Sequence, residues 1–146
     1  MSRRLINESK HWSNNIFMIN DNEAYALCDD VIPNVDIVLT LKYGKEYPFK
    51  PPDVYLNDKN IIQYFKSSPI FYNDLEKITN RKCLCCQNLL CKYKWGPILK
   101  TTDVINEIIY IFRTKNRLIE RYLCKKITDK YLKGVSDHIK IYDKYL

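Results

Sequence analysis

The sequence predicts an α+β fold: a short N-terminal helix, an antiparallel meander of about four strands, then helices packed against one sheet face. Three observations carry this. Residues 35–43 alternate, Val35, Ile37, Leu39 and Leu41 against Asp36, Val38, Thr40 and Lys42, the period of a strand with one buried face. Residues 104–112 place Val104, Ile105, Ile108, Ile109, Ile111 and Phe112 on a broad helical face. Between them lie two punctuated stretches, Tyr47-Pro-Phe-Lys-Pro-Pro52 and the cysteine-bearing residues 82–97.

Each element has its local reason. Residues 3–12 read as a helix with Leu5, Ile6, Ser9 and Trp12 on one face and Arg3, Arg4, Glu8 and Lys10 on the others. Residues 16–19 and 23–28 read as short strands around the turn Asn20-Asp-Asn22, with Asp29-Asp30 and Pro33-Asn34 as turn chemistry. Gly44-Lys45-Glu46 breaks the strand at 35–43. Pro48, Pro51 and Pro52 then fix an extended, donor-poor connection to a strand over 53–56. Residues 61–65 and 72–78 each read as a helical turn, separated by Ser67-Ser-Pro69. Thr101-Thr102-Asp103 offers an N-cap to the helix bearing Ile108. A second amphipathic helix is predicted over 116–132, with Leu118, Ile119, Tyr122, Leu123 and Ile127 inward. Gly134 breaks it, and a short helix over 137–145 follows.

At 146 residues the chain is read as a single domain, 1–146, with enough length to bury a core. No apolar run spans a bilayer, and the N-terminus has no secretory h-region. The expected location is therefore cytoplasmic, with the nucleus also open to it, and not secreted or membrane-bound. The net charge of +7 comes from scattered lysines and reads as a solvated basic face. Nucleic acid is disfavoured because the basic region 115–133 lacks interleaved exposed aromatics. A monomer is expected.

Four of the six cysteines crowd into residues 83–91. Without a leader, and with Cys85 and Cys86 adjacent, this is not a disulfide framework. Thiols that do chemistry or hold metal fit better. Cys83, Cys85, Cys86 and Cys91 supply four thiols, enough for zinc, although C-x-C-C-x4-C is not the usual knuckle spacing. Cys28 and Cys124 read as buried thiols.

The proline hexapeptide, the Cys86-Gln-Asn-Leu-Leu90 frame and Trp95-Gly-Pro97 with the following Thr-Thr-Asp-Val-Ile-Asn-Glu-Ile segment resemble ubiquitin-conjugating (E2) enzymes. The resemblance is clearest over residues 3–112; the helical part 113–146 lies outside it. It implies a UBC-like fold and an acyltransferase that accepts ubiquitin, or a ubiquitin-like modifier, from an E1 activating enzyme. The modifier would sit on Cys86 as a thioester and pass to a substrate lysine or an E3 ligase. A thioester suits this because the thiolate attacks well and leaves well. ATP would be consumed by the E1 enzyme; this chain has no phosphate-binding Gly-rich loop and is expected to bind no cofactor. The resemblance further implies that Phe49, Trp95, Pro97 and Ile98 meet the E3, and that Arg3, Arg4 and Lys10 help meet E1 and E3.

The departures are specific. The family's His-Pro-Asn, whose amide stabilises the developing oxyanion, is absent, and Asn80 is the nearest amide upstream of Cys86. Asn88 stands where the family usually has an acid. Cys83 is the rival nucleophile, but only Cys86 has the leucine pair at +3 and +4. Two further readings stay open beside the enzyme: a catalytically inactive E2-like module that binds ubiquitin or a partner, and a zinc-stabilised interaction domain.

Overall fold

The computed structural model describes residues 2–32 and 34–145, with side chains described for all of these except residue 30 and residues 135–145. The architecture is α+β, an antiparallel sheet with helices, as the sequence predicts. Helix α1 (Arg3–Ser9) is capped by Ser2, whose hydroxyl accepts the N–H of Leu5 at 3.2 Å. It ends before Trp12. Its buried residues are Leu5 and Glu8, whereas Ile6 is 40% exposed. The expected inward Ile6 and outward Glu8 are thus exchanged, because Glu8 is drawn into a polar junction with another helix.

The sheet runs in sequence order: β1 (Ile16–Asn20), β2 (Glu23–Ile32), β3 (Val35–Lys42), β4 (Asp53–Leu56) and β5 (Lys59–Asn60), every neighbouring pair antiparallel. That is one strand more than the four expected. The extra one forms because Asn57 and Asp58 both adopt positive φ, 50° and 61°, which closes a two-residue hairpin onto β5. β2 also continues through the Asp29-Asp30 pair expected to turn, absorbing it in a register shift between Cys28 and Ile32. Asn34, at φ 61°, turns the chain into β3, while Pro33 lies outside the described residues.

One face of the sheet is buried across the middle of β2, β3 and β4. Ala24, Ala26 and Cys28 of β2 pair with Leu41, Leu39 and Ile37 of β3, and Leu41 pairs onward with Val54. The two alanines, at 0% exposure, keep this face low where the long helix crosses β2. Val35, expected in the same buried row, lies at the hairpin end and is 47% exposed.

After β5 come α2 (Ile62–Phe65), a 3-10 turn (Pro69–Phe71) and α3 (Tyr72–Thr79), close to the two helical turns expected there. Phe65 and Leu75 send fully buried side chains into the core. The last element is a single helix, α4 (Thr101–Tyr145), where the sequence predicts three. The expected gap after Phe112 holds polar residues, but these bond to tertiary partners. Lys115 Nζ donates to the carbonyls of Tyr64 (2.5 Å) and Lys66 (2.8 Å), and Asn116 Nδ2 to that of Val31 (3.2 Å). Gly134 sits inside the helix with open space around it; a helical glycine costs only about 1 kcal/mol relative to alanine. Leu118 is buried and Tyr122 stacks edge-on against Phe71 at 5.7 Å. Ile119, Leu123 and Ile127, expected inward, are exposed because this stretch of α4 is not covered. Cys124, expected buried, is exposed on the same stretch, while Cys28 is buried as expected. Among the described residues no helix is long and apolar enough to cross a membrane.

Candidate functional site

The cysteine stretch folds as consecutive tight turns between α3 and α4. Asn80 ends α3 in the left-handed conformation, φ 57°, its N–H bonded to the Glu76 carbonyl. Arg81 pairs with Glu107 of α4 at 2.5 Å, which ties the entry of the loop to the long helix. Leu84 then buries completely, 1% exposed, and anchors the turn in the core.

Two side-chain amides shape the loop from inside. Gln87 Oε1 accepts the backbone N–H groups of Lys82 (2.6 Å) and Cys83 (3.3 Å), and the Gln87 N–H bonds back to the Cys83 carbonyl at 3.2 Å. Asn88 is 1% exposed. Its Nδ2 donates to the carbonyls of Leu84 (2.8 Å) and Cys85 (3.0 Å), and its Oδ1 accepts the N–H of Leu90 (2.9 Å). Every strong hydrogen-bonding direction of that amide except one lone pair is spent on backbone.

These turns bring three sulfurs together. Cys83 Sγ lies 2.6 Å from Cys85 Sγ and 3.5 Å from Cys86 Sγ, and Cys85 and Cys86 are also 3.5 Å apart. All three are free thiols; Cys86 is exposed, Cys83 and Cys85 half-buried. Together they form a group able to hold a metal ion, and Cys91 is not part of it. The four-thiol set of the sequence is therefore a three-thiol set here. The hydrogen bond to Cys83, reinforced by burial, pushes the Cys85 thiol up to about 12. Burial raises the Cys83 thiol, but bonds from the Cys85 and Cys86 side chains and backbone outweigh it, so its titration lies below the ordinary thiol value. Hydrogen bonds from its neighbours thus favour the thiolate form of Cys83. A small cleft of about 230 Å³ adjoins them, lined by Lys66, Ser67, Tyr72, Leu75, Cys83, Leu84 and Cys85.

Downstream, the loop docks on the proline hexapeptide. Trp95 Nε1 donates to the Pro48 carbonyl at 2.8 Å, and the Trp95 ring packs on Tyr47 with centroids 6.3 Å apart. This joins the two stretches singled out in the sequence into one surface. Phe49 and Ile98 stand out of it, 76% and 83% exposed, and Pro97 is exposed beside Ile98.

Beneath that surface is a polar junction that the sequence does not announce. The Glu8 carboxylate accepts from Tyr47 Oη (2.8 and 2.9 Å), Arg4 Nε (2.6 Å), the Thr101 N–H (3.1 Å) and the Thr101 hydroxyl (3.1 Å). Thr101 is the first residue of α4, so the cap of that helix is a carboxylate from α1, assisted by Asp103, whose side chain accepts the N–H of Lys100 at 2.8 Å. Thr101-Thr102-Asp103 does mark the helix start, as expected, but Thr101 lies inside it. Burial pushes the Glu8 carboxyl up, but the Thr101 N–H, Arg4, Tyr47 and the Thr101 hydroxyl together hold it below the usual carboxylate range. Arg3 and Lys10 remain exposed at the two ends of α1, while Arg4 is committed to Glu8.

No family model, curated protein or solved structure matches this chain significantly.

Proposed function

We propose that the protein is an E2-like acyltransferase that carries ubiquitin or a related modifier as a thioester on Cys86, within a UBC-like fold. The observation that carries this reading is the setting of Cys86. It is the exposed sulfur of the three, on a turn held from below by buried Leu84 and Asn88. It precedes the Trp95 loop, which is bonded to the proline hexapeptide. An acyl group arriving from an E1 thioester would exchange onto the Cys86 thiolate, and the E1 thiolate would leave. The proton of the exposed Cys86 thiol is lost directly to solvent. ATP would be spent upstream. The exposed Phe49, Pro97 and Ile98, with Arg3 and Lys10, fit an E1- and E3-facing surface.

The second reading, an inactive E2-like binding module, has an observation in its favour. The amide of Asn88 is consumed by the loop backbone, and Asn80 serves as the helix stop of α3. The Asn88 amide hydrogens are therefore not free to serve Cys86 as oxyanion donors. Zinc on the same thiols is a competing occupancy, since Cys86 cannot be a metal-bound thiolate and an acyl acceptor at once. Incubation with E1, ubiquitin and ATP followed by a non-reducing gel tests the reading. A band heavier by one ubiquitin and removed by dithiothreitol is expected; a metal-free chain that never charges with ubiquitin or related modifiers would leave the binding module.

A further inference from the structure

We propose that Cys83, Cys85 and Cys86 form a three-thiolate site for one thiophilic divalent ion of the zinc class, and that the bound ion masks the Cys86 sulfur. The geometry is the argument. Around a tetrahedral zinc, with Zn–S near about 2.3 Å, ligand sulfurs stand about 3.8 Å apart. The Cys83–Cys86 and Cys85–Cys86 separations, both 3.5 Å, already approach that spacing. The Cys83–Cys85 pair, at 2.6 Å, needs to open by about 1.2 Å to reach it, within the reach of a side-chain rotation. These sulfurs belong to free thiols, not to a disulfide.

The backbone that presents them is set before any ion arrives. Gln87 and Asn88 hold five main-chain groups between residues 82 and 90, so the three sulfurs converge without further folding. This is the preorganisation that lets a short loop bind metal. Three ligands rather than four leave one coordination position, and exposed Cys86 puts that position toward solvent. Such a site is open and exchangeable, not a structural knot. On ligation each thiol that is still protonated gives its proton to solvent, the sulfur lone pair goes to the ion, and no redox partner is needed. Three thiolates on a divalent ion carry one net negative charge, and Lys82, Lys92 and Lys94 flank the loop in the chain.

The site requires nothing of the thioester chemistry, so the two can fail separately. The probe is Co2+, followed by Zn2+, titrated into the reduced full-length chain. One Co2+ per chain, with a thiolate-to-cobalt charge-transfer band that Zn2+ abolishes, is expected. Cys83→Ser and Cys85→Ser should each weaken binding by at least about tenfold, the scale lost when even an outer partner of a metal ligand is removed. Cys91→Ser should leave it unchanged, and circular dichroism would confirm that each variant folds. In the same samples, alkylation followed by peptide mapping should show Cys86 protected by one equivalent of Zn2+, while exposed Cys124 reacts as before. Absence of the band in the folded wild type, equal loss in Cys91→Ser, or Cys86 alkylated as fast with zinc as without would each overturn the site. Metal binding by a chain that never charges even when stripped of metal would refute the thioester reading alone.

Discussion

The surroundings of Asn88 require an amide, although the proposed E2-like reading would place an acid there. Its Nδ2 faces two carbonyl oxygens, those of Leu84 and Cys85, and only a donor satisfies both. A carboxylate there would oppose two acceptors in a buried position. Asn88→Asp is therefore expected to destabilise the fold by about 2 kcal/mol near neutral pH, the cost of leaving buried groups unpaired. Because the introduced carboxyl would titrate above its unfolded value, stability would recover as pH falls and the acid becomes a donor again. Denaturant melts of wild type and variant at pH 7 and in mild acid would show the gap narrowing; a gap independent of pH would contradict this role. The cysteine frame was readable at this scale because residue order alone defines it. The hydrogen bonds of Asn88 and Gln87 were not, since polar residues in a loop carry no periodic signal, and the convergence of three sulfurs depends on turns that only the backbone reveals.

At the scale of elements, the junction of α1, the proline hexapeptide loop and α4 rests on one buried carboxylate. Glu8→Gln keeps the shape but removes the charge that Arg4, Tyr47 and Thr101 address, and should cost about 2 kcal/mol. The wild-type Glu8 carboxyl titrates below its unfolded value, so its contribution is complete above the unfolded pKa of about 4.3 and lost as pH falls through the lower, folded value. The difference in unfolding free energy between wild type and Glu8→Gln should accordingly be full at pH 7 and shrink in acid, measured by urea melts across that range. The strand β3 was legible because Ile37, Leu39 and Leu41 obey a two-residue period that one buried face enforces. The continuity of α4 was not. In sequence the stretch between Phe112 and Asn116 reads as a break between two helices, whereas Lys115 and Asn116 reach back to Tyr64, Lys66 and Val31 and the helix runs on uninterrupted. Glu8 was hidden for the same reason, because a charged residue in an amphipathic helix reads as solvent-facing until its partners from 39 and 93 residues away are in place.

For the whole molecule, the two punctuated stretches of sequence become one surface through the Trp95–Pro48 bond. Phe49 and Ile98 project from it with little packing beneath them. Substituting either by alanine should change stability by no more than about 0.5 kcal/mol, the usual range for surface positions. If the surface meets an E3, the same variants should charge normally and discharge onto free lysine at the wild-type rate, while the acceleration given by a cognate ligase falls. Loss of charging together with loss of fold would instead assign these side chains to packing.

If Cys86 carries the acyl group, as proposed, replacing its sulfur by oxygen must change the chemistry of the conjugate. Cys86→Ser, incubated with E1, ubiquitin and ATP, should accumulate a conjugate that resists dithiothreitol and yields to hydroxide, because an oxyester replaces the thioester. Cys83→Ser should still form the reducible wild-type species. Loss of the charged species in Cys83→Ser, with a reducible band persisting in Cys86→Ser, would contradict the assignment and move the nucleophile to Cys83.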